Sequence, residues 1–146
     1  MDPLARFNAY THDFEKTYVD DDWERLEAHF TEDAVYEVVG LPAFGGKAEG
    51  RDAVFAQLKS SLDGFDRRCA SRRLRLLRPP EIDANTVTVH WAAVYTVPGA
   101  PDLRIEGTET ASYASDRIRH LIDTYASDVA AAFEGWRREH GDRLRS

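Results

Sequence analysis

Two carboxylates in this chain, Glu109 and Asp123, fall where the surrounding pattern calls for apolar side chains. From Leu103 to Tyr113, strict alternation puts Leu103, Ile105, Gly107, Glu109, Ala111 and Tyr113 on one strand face, with Arg104, Glu106, Thr108, Thr110 and Ser112 on the other. In the next strand Leu121, Asp123 and Tyr125 share one face, and Ile118, His120 and Ile122 the other. A carboxylate is rarely buried without a partner or a purpose. Two in one apolar cavity cannot both ionise cheaply, because desolvation and mutual repulsion raise at least one pKa. Glu109, between Gly107 and Ala111, reads as the more buried and protonated acid. Asp123, at a strand end nearer a cavity mouth, reads as the ionised base. Such a proton shuttle suits enolisation, cyclisation or dehydration of a carbonyl compound, where general acid–base help is typically worth about 10² to 10⁴ in rate. His90 is a third candidate catalytic residue. Its strand, Thr86 to Thr96, turns Val87, Val89, Trp91, Ala93 and Tyr95 inward and Thr88, His90 and Thr96 outward, so His90 reaches a cavity only where a bulge reverses it.

The rest of the chain has to build and close that cavity. Asp2-Pro3 is a helix start, and Leu4, Phe7, Tyr10, Phe14 and Tyr18 form one aromatic stripe at helical spacing. Asp20 to Asp22 open a second helix with Trp23, Leu26 and Phe30 inward. The run from Glu32 to Gly40 is a strand with Tyr36 and Val38 on one face and Glu37 on the other, followed by a loop from Leu41 to Gly50 broken by Pro42 and Gly45-Gly46. A third helix from about Arg51 to Asp63 turns Val54, Phe55, Leu58 and Leu62 inward. Ser71 to Arg78 alternates arginine and leucine as an edge strand whose arginines meet surface carboxylates. After the three-strand block, Ser127 caps a last helix carrying Val129, Ala132, Phe133 and Trp136. Trp91, Tyr36, Phe14, Tyr18, Phe55, Tyr95 and Tyr125 are the expected substrate-binding walls, suited to a flat hydrophobic ligand.

Composition narrows the class. The 146 residues suit one domain spanning 1–146, and the net charge of −7 argues against a nucleic-acid surface. No apolar run reaches the roughly 18 to 20 residues of a membrane span, and no signal-peptide pattern opens the chain, so a cytoplasmic protein is expected. Cys69 is the only cysteine, which precludes an internal disulfide, and the Asp20–Asp22 run lacks the spaced ligands of a calcium loop. Neither metal nor cofactor is expected.

The order of helices first and a long meander later gives an α+β class, with helices packed on the concave face of a curved sheet. Trp23-x-x-Leu26-x-x-x-Phe30-x-x-Asp33-Ala34-Val35-Tyr36, Gly50-Arg51-Asp52-Ala53-Val54, and Asp116-Arg117-Ile118 running to Ile122-Asp123-Thr124-Tyr125 carry a resemblance. Together they resemble the nuclear transport factor 2-like superfamily, in its SnoaL-like and ketosteroid-isomerase-like branches, over nearly the whole chain. The resemblance implies a cone-shaped, antiparallel or mixed sheet wrapped around the N-terminal helices, and a conical pocket for a small hydrophobic molecule. Set beside ketosteroid isomerase, the oxyanion-hole tyrosine falls on Phe14, the basic aspartate on Val38, and the protonated acid on or near Glu109, so steroid isomerisation as such is not implied. Asp123 matches the last-strand aspartate of limonene-epoxide-hydrolase-like members, whose Arg-x-Asp is replaced here by Val89-His90-Trp91. It also suits the acid/base aspartate of SnoaL-like cyclases. Dehydratase members pair a cavity histidine with an aspartate, the role His90 would fill.

Three functions follow as expectations: a cofactor-free cyclase, isomerase, dehydratase or hydrolase; a non-catalytic binder of a hydrophobic metabolite; and an interaction domain with its pocket filled by its own aromatics. The outer sheet face, with its threonines, His90 and His120, is the expected homodimer surface.

Overall fold

Asp2 caps the first helix, its Oδ1 accepting from the Ala5 amide at 2.8 Å, and Pro3 takes the first helical position. In the computed structural model, which describes residues 2–146, this helix is α1 (Pro3–Asp20). It stops at Asp21, which adopts a left-handed conformation at φ 61° and returns its amide to the Thr17 carbonyl. The expected second helix is a single short 3-10 segment, Trp23–His29, because Phe30 is already extended and begins β1 (Phe30–Val39). There follow β2 (Gly46–Glu49), α2 (Arg51–Gly64), β3 (Ser71–Leu76), β4 (Glu81–Asp83), β5 (Thr86–Thr96), β6 (Leu103–Ala114), β7 (Arg117–Tyr125) and α3 (Val129–His140). The Leu41–Gly50 segment is thus not all loop, since its second half pairs with β1 as β2. The last helix is entered from Asp128 and not Ser127.

The strands form one mixed, unclosed and curved sheet in the order β2-β1-β7-β6-β5-β3, with β4 added to β5. Only β1 and β7 run parallel; every other described pair is antiparallel. The helices lie against the concave face, where Leu26, Phe30, Val54, Val87, Ala111, Leu121 and Phe133 are buried. This is the α+β cone expected. The register is irregular at two points, one where β1 meets β7 between Phe30 and Val35, the other between β6 and β7. Ser112 faces His120, but Tyr113 faces Ile118, leaving Arg119 as an extra residue in β7. That bulge reverses the side-chain pattern, so Ile118 is fully buried and not on the outer face.

Gly107, in β6, is where cavity wall and sheet meet most closely. A β-carbon there would stand 2.7 Å from Trp91 Cζ2 and 2.9 Å from the Thr124 carbonyl oxygen, and the second contact is backbone that cannot swing away. Gly107→Ala is therefore expected to destabilise the fold by about 1 to 3 kcal/mol, the usual range for overpacking. Urea denaturation measures it directly.

Candidate active site

The site is set by strand register. Glu109 in β6 lies directly opposite Asp123 in β7, and Asp123 lies opposite Val38 in β1. Directly opposed side chains on one face have β-carbons only about 4.5 to 5.5 Å apart. The two carboxyl groups therefore meet, each within hydrogen-bonding influence of the other. One residue pair further along β1, Tyr36 shares the face of Val38, and its hydroxyl donates to Asp123 Oδ2 at 2.6 Å. The other carboxyl oxygen, Oδ1, is buried and has no hydrogen-bond partner among the described residues. A proton on the facing Glu109 carboxyl would give Asp123 a second donor beside Tyr36.

Electrostatics agree. Burial raises the pKa of Glu109 well above the ordinary carboxyl range, and the neighbouring Asp123 raises it further. Asp123 is raised too, first by burial, but the hydrogen bonds from Glu109 and Tyr36 work in the opposite direction. These directions favour one proton on the pair, held on Glu109, with the negative charge on Asp123. The order of exposure differs from the sequence reading: Asp123 is the more enclosed residue at 8% exposure, and Glu109 is half-buried, its remaining surface facing the cavity. Hydrogen bonding, and not access to water, keeps Asp123 ionised.

Both acids open into a cavity of about 370 Å³. Of the expected wall residues, Phe14, Tyr36, Trp91, Tyr95 and Tyr125 line it. Trp91 and Tyr125 meet edge to face with centroids 5.5 Å apart. Phe55 does not reach the cavity; it packs against Phe30 at 5.5 Å and Trp23 at 5.8 Å beneath it. Nor does Tyr18, which turns the other way, donating to the Asp66 carbonyl and lying 4.3 Å from the Arg72 guanidinium. His90 stands on the outer face, its ring 3.3 Å from Thr108 Oγ1 and 3.4 Å from Glu81, because β5 has no bulge at that point. The other histidine-bearing strand behaves alike: His120 pairs outward with Glu37 at 2.7 Å. The aromatics leave the cavity open, unlike the filled pocket of an interaction domain.

Three cavity residues were not singled out from the sequence. Tyr10, one helical turn before Phe14, lines the cavity, and no hydrogen bond engages its hydroxyl among the described residues. Burial and the nearby Glu109 and Asp123 push its pKa well up, so it stays a donor. Its place in the α1 stripe marked it only as core. Asp66 and Arg72 also line the cavity, paired at 3.2 Å. Arg72 shares its strand face with Leu74 and Leu76, a period-2 signal that the alternating arginines and leucines carried and the reading of the edge strand did not use. No group of three or more His, Cys, Asp or Glu among the described residues is arranged to hold a metal ion, and no described helix is long and apolar enough to cross a membrane.

The sequence model of the SnoaL-like domain matches residues 11–121. Among curated proteins none matches the chain in sequence. Among solved structures, TerC co-crystallized with polyporic acid superposes with a TM-score of 0.66 at 14% identity, covering 92% of this chain and 96% of that one. A nuclear transport factor 2-like protein of unknown function from Burkholderia pseudomallei gives 0.66 at 13%, with 90% and 96% covered. A Catenulispora acidiphila protein with a ketosteroid isomerase-like fold, in complex with trimethylamine, gives 0.59 at 15%, with 86% and 92% covered. At these identities the likeness is one of fold.

The shared proton has a thermodynamic signature. Glu109 binds its proton more tightly folded than unfolded, so the folded state holds a proton that the unfolded chain releases above the ordinary glutamate range. Stability from this group therefore falls as pH rises, by up to about 1.4 kcal/mol per pH unit. Asp20 and Asp21, each lowered to about 2 by their basic partners, act with the opposite sign and only on the acid side. Glu109→Gln keeps a donor for Asp123 but removes the titration. Its stability relative to wild type is expected to improve as pH rises above the ordinary glutamate range, measured in urea denaturation.

Proposed function

This chain belongs to the SnoaL-like domain family, and from that premise we propose that it is a cofactor-free enzyme that moves protons on a small, flat, apolar carbonyl compound. The observation that carries this reading is the one-proton carboxyl pair facing an aromatic cavity. In the proposed reaction the ligand carbonyl oxygen accepts from the free Tyr10 hydroxyl. Asp123 removes a proton from the adjacent carbon, and the C–H electron pair moves toward the carbonyl to give an enolate. Tyr10 stabilises the developing oxyanion, joined by the Glu109 hydroxyl once Asp123 has taken up the proton and no longer draws on it, in a site where fixed donors act with little water to screen them. Tyr36 orients Asp123 throughout. The proton then returns at another carbon, which is isomerisation, or the enolate carbon attacks a second carbonyl of the same ligand, which is cyclisation. Alternatively the enolate expels a β-hydroxyl that takes its proton from Glu109, which is dehydration. All three routes need only the groups present.

The volume of about 370 Å³ lies at the lower end of the range of about 300 to 1,000 Å³ usual for small-molecule sites. We also propose that the protein works in the cytoplasm as a homodimer joined through the outer sheet face, where His90 and His120 stand.

The test combines binding and exchange. A panel of flat ketones, phenols, lactones and epoxides is screened by thermal shift, where a ligand at about 100 times its dissociation constant adds about 2.7 kcal/mol. For each stabilising ketone, solvent deuterium incorporation next to the carbonyl is followed by NMR. Asp123→Asn is expected to retain binding and to lose about 10² to 10⁴ in exchange rate. Binding with no enzyme-dependent exchange in the wild type makes the protein a binder and not an enzyme.

A further inference from the structure

The same cavity has a second polar centre that proton transfer at Glu109 and Asp123 does not use. Arg72, on β3, has only 9% of its side chain exposed and lines the cavity. Its Nη1 donates to Asp66 Oδ2 at 3.2 Å, and its Nη2 donates to both oxygens of Glu15 at 2.8 and 2.5 Å. These bonds use three of the five guanidinium N–H groups. The Nε–H and the second Nη1–H have no acceptor among the described residues. Asp66 Oδ2 also receives the Tyr95 hydroxyl at 3.4 Å.

This centre lies well away from the acid pair. Glu109 is opposite Val89 on β5, whereas Arg72 is opposite Tyr95, six positions along, or about 20 Å of strand, which the inward-reaching side chains shorten. Tyr125 lies between them, close enough to feel the charges of both Asp123 and Asp66. Apolar groups occupy the gap: Trp91, Leu74 and Leu76, the two leucines half-exposed at the slot between β3 and α1. A leucine left in water on a cavity rim gains most from an apolar body laid over it.

Resting on the proposed carbonyl site, we propose that Arg72 and Asp66 select an elongated substrate with a second, neutral oxygen, a hydroxyl or a carbonyl, at the end remote from the reacting ketone. That oxygen accepts from the free Arg72 N–H groups, and where it is a hydroxyl it donates to Asp66. Neutrality follows from charge. The cavity is lined by four acids, Glu15, Asp66, Glu109 and Asp123, and two cations, Arg72 and Arg75. Even with one proton held on Glu109, its net charge is negative, and Arg72 is already matched by two carboxylates. An anionic tail would meet repulsion from both.

Three probes separate the possibilities: acetylbiphenyl, with one oxygen; its para-hydroxyl derivative, with a neutral second oxygen; and the corresponding acetylbiphenylcarboxylic acid. Affinities for the wild type are measured by titration calorimetry. The hydroxyl derivative is expected to bind about tenfold to a hundredfold more tightly than acetylbiphenyl, the span of one hydrogen bond to a charged group, and the acid more weakly than either. Arg72→Lys, which keeps a cation beside Asp66 and Glu15, and Asp66→Asn are each expected to erase the preference while leaving acetylbiphenyl affinity within about threefold. Equal binding of the two neutral probes to the wild type, or a preference surviving in both variants, overturns the assignment of Arg72 and Asp66 and leaves the carbonyl site standing. Tightest binding by the acid replaces a neutral tail with a carboxylate. If none of the three binds, the carbonyl site itself fails and this inference with it.

Discussion

One proton shared between Glu109 and Asp123 is the constraint around which this fold is arranged. Strand pairing fixes the two residues opposite each other, and two like charges at that separation destabilise a sheet. The fold keeps them together by letting one stay neutral. Every neighbour fits that solution: Gly107 and Ala111 flank Glu109 without polar atoms, Tyr36 donates to the one acid that is ionised, and aromatic walls keep the local dielectric low. Apolar replacement of buried charged groups is often neutral or stabilising, so a carboxyl pair kept at these positions is the pattern expected where a site is retained for chemistry.

Register does more here than hold the acids together. Because Asp123 is bracketed by β6 on one side and β1 on the other, three strands contribute one group each, Glu109, Asp123 and Tyr36, without any loop. Groups carried on paired strands are held more precisely than groups on loops. The opening of the cavity is built differently. Helix α1 and edge strand β3 form its lips, joined by the Arg72–Glu15 ion pair, and it is there that polar recognition is separated from the proton-transfer end.

The two acids were legible in the sequence because each breaks a run of apolar side chains on one face of a period-2 pattern, and the same alternation correctly turned His90 outward. The concave face of β1, with Tyr36 and Val38, could be read as a face but not as a partner of Asp123, since parallel pairing between the first and last strands leaves no local trace. The bulge at Arg119 was invisible for a similar reason: it is defined by the facing strand, and it carried Ile118 into the core against its apparent phase. Tyr10 was hidden by its helix, where one apolar stripe serves core and cavity alike. Alternation set Arg72 on the face of Leu74 and Leu76, apart from Arg73 and Arg75, but its partner Asp66 lies outside the strand and could not be read from that pattern. Phe55 and Tyr18 had the right chemistry for walls, but packing beneath Trp23 and against Arg72 claimed them.

The measurement that tests this account most directly is carbon-13 NMR of the side-chain carboxyls, with glutamate and aspartate labelled and Glu109 and Asp123 assigned through Glu109→Gln and Asp123→Asn. The account predicts that at neutral pH the Glu109 resonance is that of a protonated carboxyl and the Asp123 resonance that of a carboxylate. It also predicts that the Glu109 titration moves toward the ordinary range once Asp123 is Asn, because a neighbouring charge has gone. Two carboxylates titrating independently near their ordinary values of about 4 would contradict it.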